Sequence, residues 1–213
     1  MKWQEYQDAV VEFYKKAKGI GQVCKNLTRP DKVTGQARQV DCWIEAPVKG
    51  HIVKILVDAK FRKGKVDVKD VEAVRELGEA VGADKCFLIC PNGWTEPAME
   101  KAEFIGLDLR LLTVKSAVQL LDIENWEICP NCQNDYILME KSGSIELDGM
   151  VFWWLAGQCR ECRSTLIWCQ DCGDQMCVTT GQSQRCSCGH SWSVDKIGMH
   201  LRPHDIEGKW LIW

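Results

Sequence analysis

The chain has 213 residues, 46% of them apolar and 27% charged, with a formal net charge of −3, which allows one sizeable core plus a smaller module and excludes a disordered or low-complexity chain. Residues 1–5 lead into no apolar run of a secretory leader, and the longest uncharged hydrophobic stretch, 149–159, is too short to cross a bilayer, so a soluble, cytoplasmic protein with no membrane partner is expected. Thirteen cysteines would suit a disulfide scaffold in a small secreted chain, but the number is odd and the spacing is that of metal knuckles.

Residues 3–18 place Tyr6, Val10, Phe13 and Tyr14 near one face at helical spacing, predicting a first helix that stops near Gly19. Strands are predicted at 22–27, 38–45 and 52–61, with a Pro- and Gly-punctuated loop at 28–35. A helix over 68–81 leads to a strand at 85–90, whose Cys-Phe-Leu-Ile-Cys run reads as buried on both faces. A helix at 96–105 and a strand at 108–112 complete a three-layer α/β/α core with a mixed central sheet, and a short helix at 114–121 bridges to the remainder. The boundary falls close to Asp122, giving a domain at 1–122 and two small β-rich modules at about 123–166 and 167–213.

Within the first domain, Asp58 and Lys60 are two apart on one strand and project from the same face, and Asp41 can join them from a neighbouring strand. Hydrolysis of a phosphodiester needs a divalent cation to polarise the phosphate and acidify an attacking water. Carboxylates are the hard oxygen ligands that Mg²⁺ prefers, which suits Asp41 and Asp58. A lysine beside the ion stabilises charge building up on phosphorus and helps orient or deprotonate the water, which suits Lys60. Taken alone, an Asp-x-Lys on a strand is more often a solvated edge or a surface ion pair.

The order of surrounding elements resembles the Mrr-type restriction endonuclease domain of the PD-(D/E)xK superfamily over residues 3–113. The matching stretches are Trp3-Gln4-Glu5-Tyr6-Gln7, Arg38-Gln39-Val40-Asp41 and Val57-Asp58-Ala59-Lys60. They continue with the helix at 68–81, Gly82-Ala83-Asp84-Lys85, Gly93-Trp94-Thr95 with Ala98, and Gly106-Leu107. The resemblance implies a Mg²⁺- or Mn²⁺-dependent DNA endonuclease acting in restriction or defence against foreign or modified DNA. In that family a glutamate of the first helix often joins the metal site; Gln7 aligns with it here, Glu5 and Glu12 are nearby substitutes, and Asp58 takes the place of the usual Glu.

Eight cysteines form four close pairs, Cys129/Cys132, Cys159/Cys162, Cys169/Cys172 and Cys186/Cys188. Tetrahedral Zn²⁺ takes four thiolates, and two short knuckles supply them in pairs. Consecutive pairing predicts two zinc ribbons, Cys129 and Cys132 with Cys159 and Cys162, and Cys169 and Cys172 with Cys186 and Cys188. The run Cys-Ser-Cys-Gly-His-Ser-Trp ending at Trp192 resembles the second knuckle of many zinc ribbons. Redox-active Cys-x-x-Cys is the competing explanation, but such a motif normally occurs once, beside a βαβ unit. Cys177 and His190 are alternative ligands at the second site, and a role at the surface or beside the ligands without touching the ion is the simpler reading of His190. Cys24, Cys42, Cys86 and Cys90 read as small buried apolar groups.

Residues 1–122 carry a net charge of +2 and residues 123–213 one of −5, so the ribbon half is disfavoured as the main phosphate-binding surface. Basic residues gather beside the Asp58–Lys60 strand end, where Arg62, Lys63 and Lys65 are candidate nucleic-acid contacts or an ordinary solvated loop. Most tryptophans of 123–213 are expected in the ribbon core, with Trp210 and Trp213 the candidates for contact. DNA is the expected partner, a homodimer would supply the two sites that cutting both strands requires, and the ribbons are available to recruit a protein. The rival reading is a catalytically inactive nuclease fold that serves as an adaptor or DNA-binding protein; a third is an accessory nuclease in repair or mobile-element processing.

Overall fold

Apolar side chains recurring at helical spacing make residues Trp3–Lys15 helix α1, which buries Tyr6, Gln7, Ala9, Val10, Val11 and Tyr14. The helix was expected to reach Lys18; it ends at Lys15, and Lys18 lies outside the described residues, which are 1–17 and 19–213 of this computed structural model. Phe13 was expected on the buried face but is exposed, because it lies at the margin of a stripe centred on Gln7, Val10 and Tyr14.

Three antiparallel strands follow, β1 (Gln22–Pro30), β2 (Ala37–Val48) and β3 (His51–Ala59). The β2–β3 turn is the two-residue loop Lys49-Gly50, both at positive φ, the conformation that matches the twist of a hairpin. Strand β1 runs three residues past its expected end, through Pro30. It is the edge of the sheet, where a residue without an N–H is tolerated.

Helix α2 (Val68–Val81) carries the chain to β4 (Lys85–Cys90), parallel to β3, and α3 (Glu96–Ile105) carries it to β5 (Asp108–Leu111), parallel to β4. The sheet order is β1-β2-β3-β4-β5, a mixed sheet of five strands. Both crossover helices are bounded by local chemistry, Asp67 and Thr95 accepting from backbone N–H groups at their starts and Gly82 and Gly106 taking left-handed φ at their ends. Helix α4 (Val114–Leu120) packs with α1, and α2 packs with α3. One face of the sheet buries Trp43, Leu56 and Leu88 against Val71, Val74 and Ala98, and the other stacks Phe87 on Tyr14 of α1.

The chain divides into two compact units at Asp122/Ile123. In the second, β6 (Trp126–Ile128) and β7 (Tyr136–Leu138) form a hairpin. Next, β8 (Lys141–Leu147), β9 (Met150–Gln158), β10 (Thr165–Cys169) and β11 (Gln175–Val178) form a sheet in the order β11-β10-β9-β8. Finally β12 (Ser183–Arg185), β13 (Ser191–Val194), β14 (Met199–Arg202) and β15 (Trp210–Leu211) form a second four-stranded sheet. A division at 166/167 therefore runs through β10, and one sheet serves both cysteine sets.

Trp154 and Trp192 are core residues, as expected, but Trp153 is 54% and Trp168 37% exposed. Trp153 neighbours Trp154 on β9, so the two must point to opposite faces, and Trp168, paired with Leu155, lies on the same face as Trp153. That alternation, rather than a shortage of apolar material, decides which tryptophans are covered.

Candidate active site and metal-binding clusters

Strand β3 is apolar and buried over Ile55-Leu56-Val57 and then delivers Asp58, only 7% exposed, to the end of the sheet. The β2–β3 register reaches Cys42↔Val57; one step further sets Asp41 across from Asp58, and Asp41 Oδ2 accepts a hydrogen bond from Ala59 N at 3.1 Å. Lys60 is fixed by its backbone N–H, which donates to Ile89 O of β4 at 2.8 Å, and its ammonium lies 2.8 Å from Asp58 Oδ2. The three residues expected to act together are thus brought together.

The electrostatics of this cluster are unbalanced. Burial raises the Asp58 carboxyl above its ordinary range, the Lys60 charge opposes that rise, and the Asp41 and Asp70 carboxylates reinforce it. Burial acts to lower Lys60, but the Asp58 charge and contact, with Asp41 and Asp70 beyond, outweigh it and leave Lys60 raised. Lys60 is therefore a firm cation and a poor proton acceptor. Asp58 Oδ2, although beside that ammonium, has no well-formed hydrogen bond. Two facing carboxylates, one buried with an under-satisfied oxygen, are a donor set suited to a hard divalent cation.

Gln7 is 2% exposed and its Nε2 has no hydrogen-bond partner among the described residues. Helix α1 reaches this end of the sheet, since the Tyr6 ring lies 5.1 Å from that of Phe61, the residue after Lys60. Glu5 accepts from Lys2 N in the cap of α1, and Glu12 pairs with Lys15 at 2.8 Å, so both are engaged at the helix surface.

The loop after Lys60 is held more firmly than a solvated loop would be. Val66 N donates to Gly93 O and Thr95 N to Val66 O. Arg62 Nη2 bonds the Asp70 carboxylate and donates to Lys65 O at 2.9 Å. Lys63 and Lys65 are exposed. Sequence reasoning did not single out Asp70; its available signal was the Asp67-x-x-Asp70 spacing, a capping box that starts α2.

In the second unit the Sγ atoms of Cys129, Cys132, Cys159 and Cys162 lie within 4.8 Å of one another, as do those of Cys169, Cys172, Cys186 and Cys188. This is the consecutive pairing expected from the spacing. Four ligands at about 2.3 Å from a tetrahedral zinc stand roughly 3.8 Å apart, and the Cys132–Cys159 and Cys169–Cys188 separations are 3.7 and 3.8 Å. Among the described residues these are the groups of three or more His, Cys, Asp or Glu close enough to share an ion.

All four knuckles use one backbone device. The residue after the second cysteine of each pair, Gln133, Arg163, Gly173 or Gly189, has left-handed φ. Its N–H donates to the carbonyl of the first cysteine at 2.8 to 3.1 Å. Burial pushes the Cys129 and Cys169 thiols up, so metal binding must displace their protons.

His190 stands outside the second set, its Nε2 3.2 Å from Asp171 Oδ2 and its Nδ1 accepting from His204 N at 3.1 Å. Cys177, an alternative ligand of the second site by sequence, instead packs against the first cluster with Leu155. It pairs with Leu166 on β10 and points away from the face on which its neighbours Met176 and Val178 enter the other core.

A mixed five-stranded sheet between helices, with Asp41, Asp58 and Lys60 at the end of its β2–β3 hairpin, defines a restriction-endonuclease-like protein. The Mrr catalytic-domain model (Mrr_cat, restriction endonuclease) matches residues 1–121, and the chain belongs to that family. No curated protein matches it. Among solved structures it is similar to the crystal structure of a protein of unknown function, AF1548, with 13% identity and a TM-score of 0.45 over 55% of this chain and 65% of that one. It is also similar to protein VC1899 from Vibrio cholerae, with 16% identity and a TM-score of 0.35 over 54% of this chain and 30% of that one. The chain spans less than two thirds of either structure.

Proposed function

We propose that this nuclease-family protein is a divalent-metal-dependent DNA endonuclease whose site is Asp41, Asp58 and Lys60. The observation that carries the reading is the buried Asp58, facing Asp41 and paired with Lys60, at the strand end where the loop opens. Asp41 and Asp58 would hold Mg²⁺ or Mn²⁺, with Gln7 beside them offering its unpartnered Nε2 as a hydrogen-bond donor to a phosphate oxygen or a water. The ion, when bound, lowers the pKa of a water and polarises the phosphate. Lys60, kept charged by its neighbours, stabilises the negative charge that grows on the phosphoryl oxygens. Arg62, Lys63 and Lys65 hold the flanking backbone. Restriction or defence against foreign or modified DNA is the setting, a homodimer supplies a site for each strand, and two structural zinc ions fold the C-terminal half.

An adaptor role draws on the exposed Trp153 and Trp168, which give the acidic half an aromatic face for a protein partner. Calorimetric titration of zinc-loaded protein with Mn²⁺ separates the two readings. The nuclease reading expects one site per chain that weakens at least about tenfold in Asp41→Asn and in Asp58→Asn. Unchanged Mn²⁺ binding in both variants would sink it.

A further inference from the structure

Arg62 is two residues beyond Lys60 and has five N–H donors. Only Nη2 is used, toward the Asp70 carboxylate and Lys65 O, with Asp67 Oδ2 at 3.9 Å. Among the described residues Nε and Nη1 make no bond, and the side chain is 39% exposed. The peptide that carries it is also held, because Asn92 Nδ2 donates to Arg62 O at 2.7 Å and to Lys63 O at 3.2 Å. Asp70 is fixed in turn by the cap of α2, where Asp67 N donates to Asp70 Oδ2 at 2.9 Å and Asp70 N to Asp67 Oδ1 at 3.2 Å. Its side chain is only 15% exposed.

An acidic side chain beside a surface meant for phosphate is unfavourable unless it does something for a cation there. An unrestrained arginine loses much side-chain freedom when it grips a ligand, and one already fixed loses less.

We infer that Asp70 is a positioning residue: it holds Arg62, on a loop pinned by Asn92, with Nε and Nη1 turned out to grip a DNA phosphate next to the scissile one. This rests on the nuclease reading of Asp41, Asp58 and Lys60. Arg62 touches substrate; Asp70 acts through it.

The sign of one effect separates this role from plain charge. Deleting a carboxylate from a DNA-binding face should tighten binding through the general field. Positioning requires the opposite, that Asp70→Asn weakens it.

The test uses the full zinc-loaded chain in an Asp58→Asn background, with fluorescence anisotropy of a labelled duplex titrated across salt concentrations. Arg62→Ala is expected to weaken binding about tenfold and to reduce the salt slope by about 1. Asp70→Asn is expected to weaken it several-fold, Asp70→Glu to restore most of the loss, and the Arg62→Ala/Asp70→Asn pair to be no worse than Arg62→Ala alone. Cleavage kinetics in the otherwise wild-type chain, with Asp58 intact, should then show Asp70→Asn raising KM with kcat within about threefold.

Tighter or unchanged binding by folded Asp70→Asn overturns the inference, as does a loss confined to kcat. A thermal shift with unaltered binding would reduce Asp70 to a helix cap and also overturn it. If wild-type protein binds DNA as described but never cuts, the nuclease reading fails while the Arg62 grip stands.

Discussion

Residues 2–122 bury Trp43, Leu56 and Leu88 between a five-stranded sheet and its helices, whereas residues 123–213 draw their cores around two sets of four cysteines. The first unit has apolar side chains enough to fold by burial and can place an under-satisfied carboxylate at the end of a strand. In the second, apolar side chains such as Trp154, Trp192 and Leu201 pack together with cysteines of the two four-cysteine sets, so its stability is expected to depend on metal bound there. The contrast teaches that the charge imbalance at Asp58 is sustained by the packing around it, while the ribbon geometry is sustained by its ligands.

The largest expected effect is removal of zinc. Apparent binding free energies of about 10–16 kcal/mol for structural zinc in small modules are folding free energies. Stripping zinc, or Cys169→Ser, should therefore unfold residues 123–213 and leave the far-UV signature and exchange protection of 2–122 in place. Proteolysis with peptide mapping reads this directly, and a ribbon half that stays protected without metal would break the contrast. Conversely, Leu88→Ala should cost the first unit about 2–5 kcal/mol and leave zinc content at two per chain.

A smaller effect concerns pH. Asp58 is raised in the folded protein, so its own contribution to metal-free stability is present at low pH and lost as pH rises through the folded value. A divalent cation binds the ionised form and acts in the opposite direction. The rise in Tm caused by Mg²⁺ should therefore fade on acidification before pH reaches about 4, the range of an ordinary aspartate. A Mg²⁺-induced shift that persists undiminished to pH 4 would contradict this.

The smallest effect sharpens the knuckle geometry. Gly173 has φ +80° and open space where a Cβ would lie, so Gly173→Ala tests conformation alone and should cost about 1–2 kcal/mol of ribbon stability. Thermal melts of zinc-loaded protein would show it.

Much of this was legible in the sequence. Apolar periodicity and turn residues located every helix and strand of the first unit to within a few residues, and cysteine spacing identified both four-cysteine sets. That Asp41, Asp58 and Lys60 lie together was legible because strand alternation fixes which side chains share a face. The last three residues of β1 hid behind Pro30, which sequence rules treat as punctuation but an edge strand accepts. The knuckle turns at Gln133 and Arg163 carried no glycine to announce left-handed backbone. Which of Trp153, Trp154 and Trp168 is covered depends on the register of β9 and β10, which is not local to the chain; the capping box that starts α2 was legible, but not that the loop after Lys60 returns Arg62 to Asp70.

The most direct test of the central claim is cleavage of supercoiled and linear DNA by zinc-loaded protein with and without Mg²⁺ or Mn²⁺, beside Lys60→Ala. The proposed site predicts metal-dependent cutting by the wild-type chain that falls at least about 10²-fold in the variant. Cutting that survives Lys60→Ala at the wild-type rate, or folded protein with two zincs that cuts nothing, would contradict it.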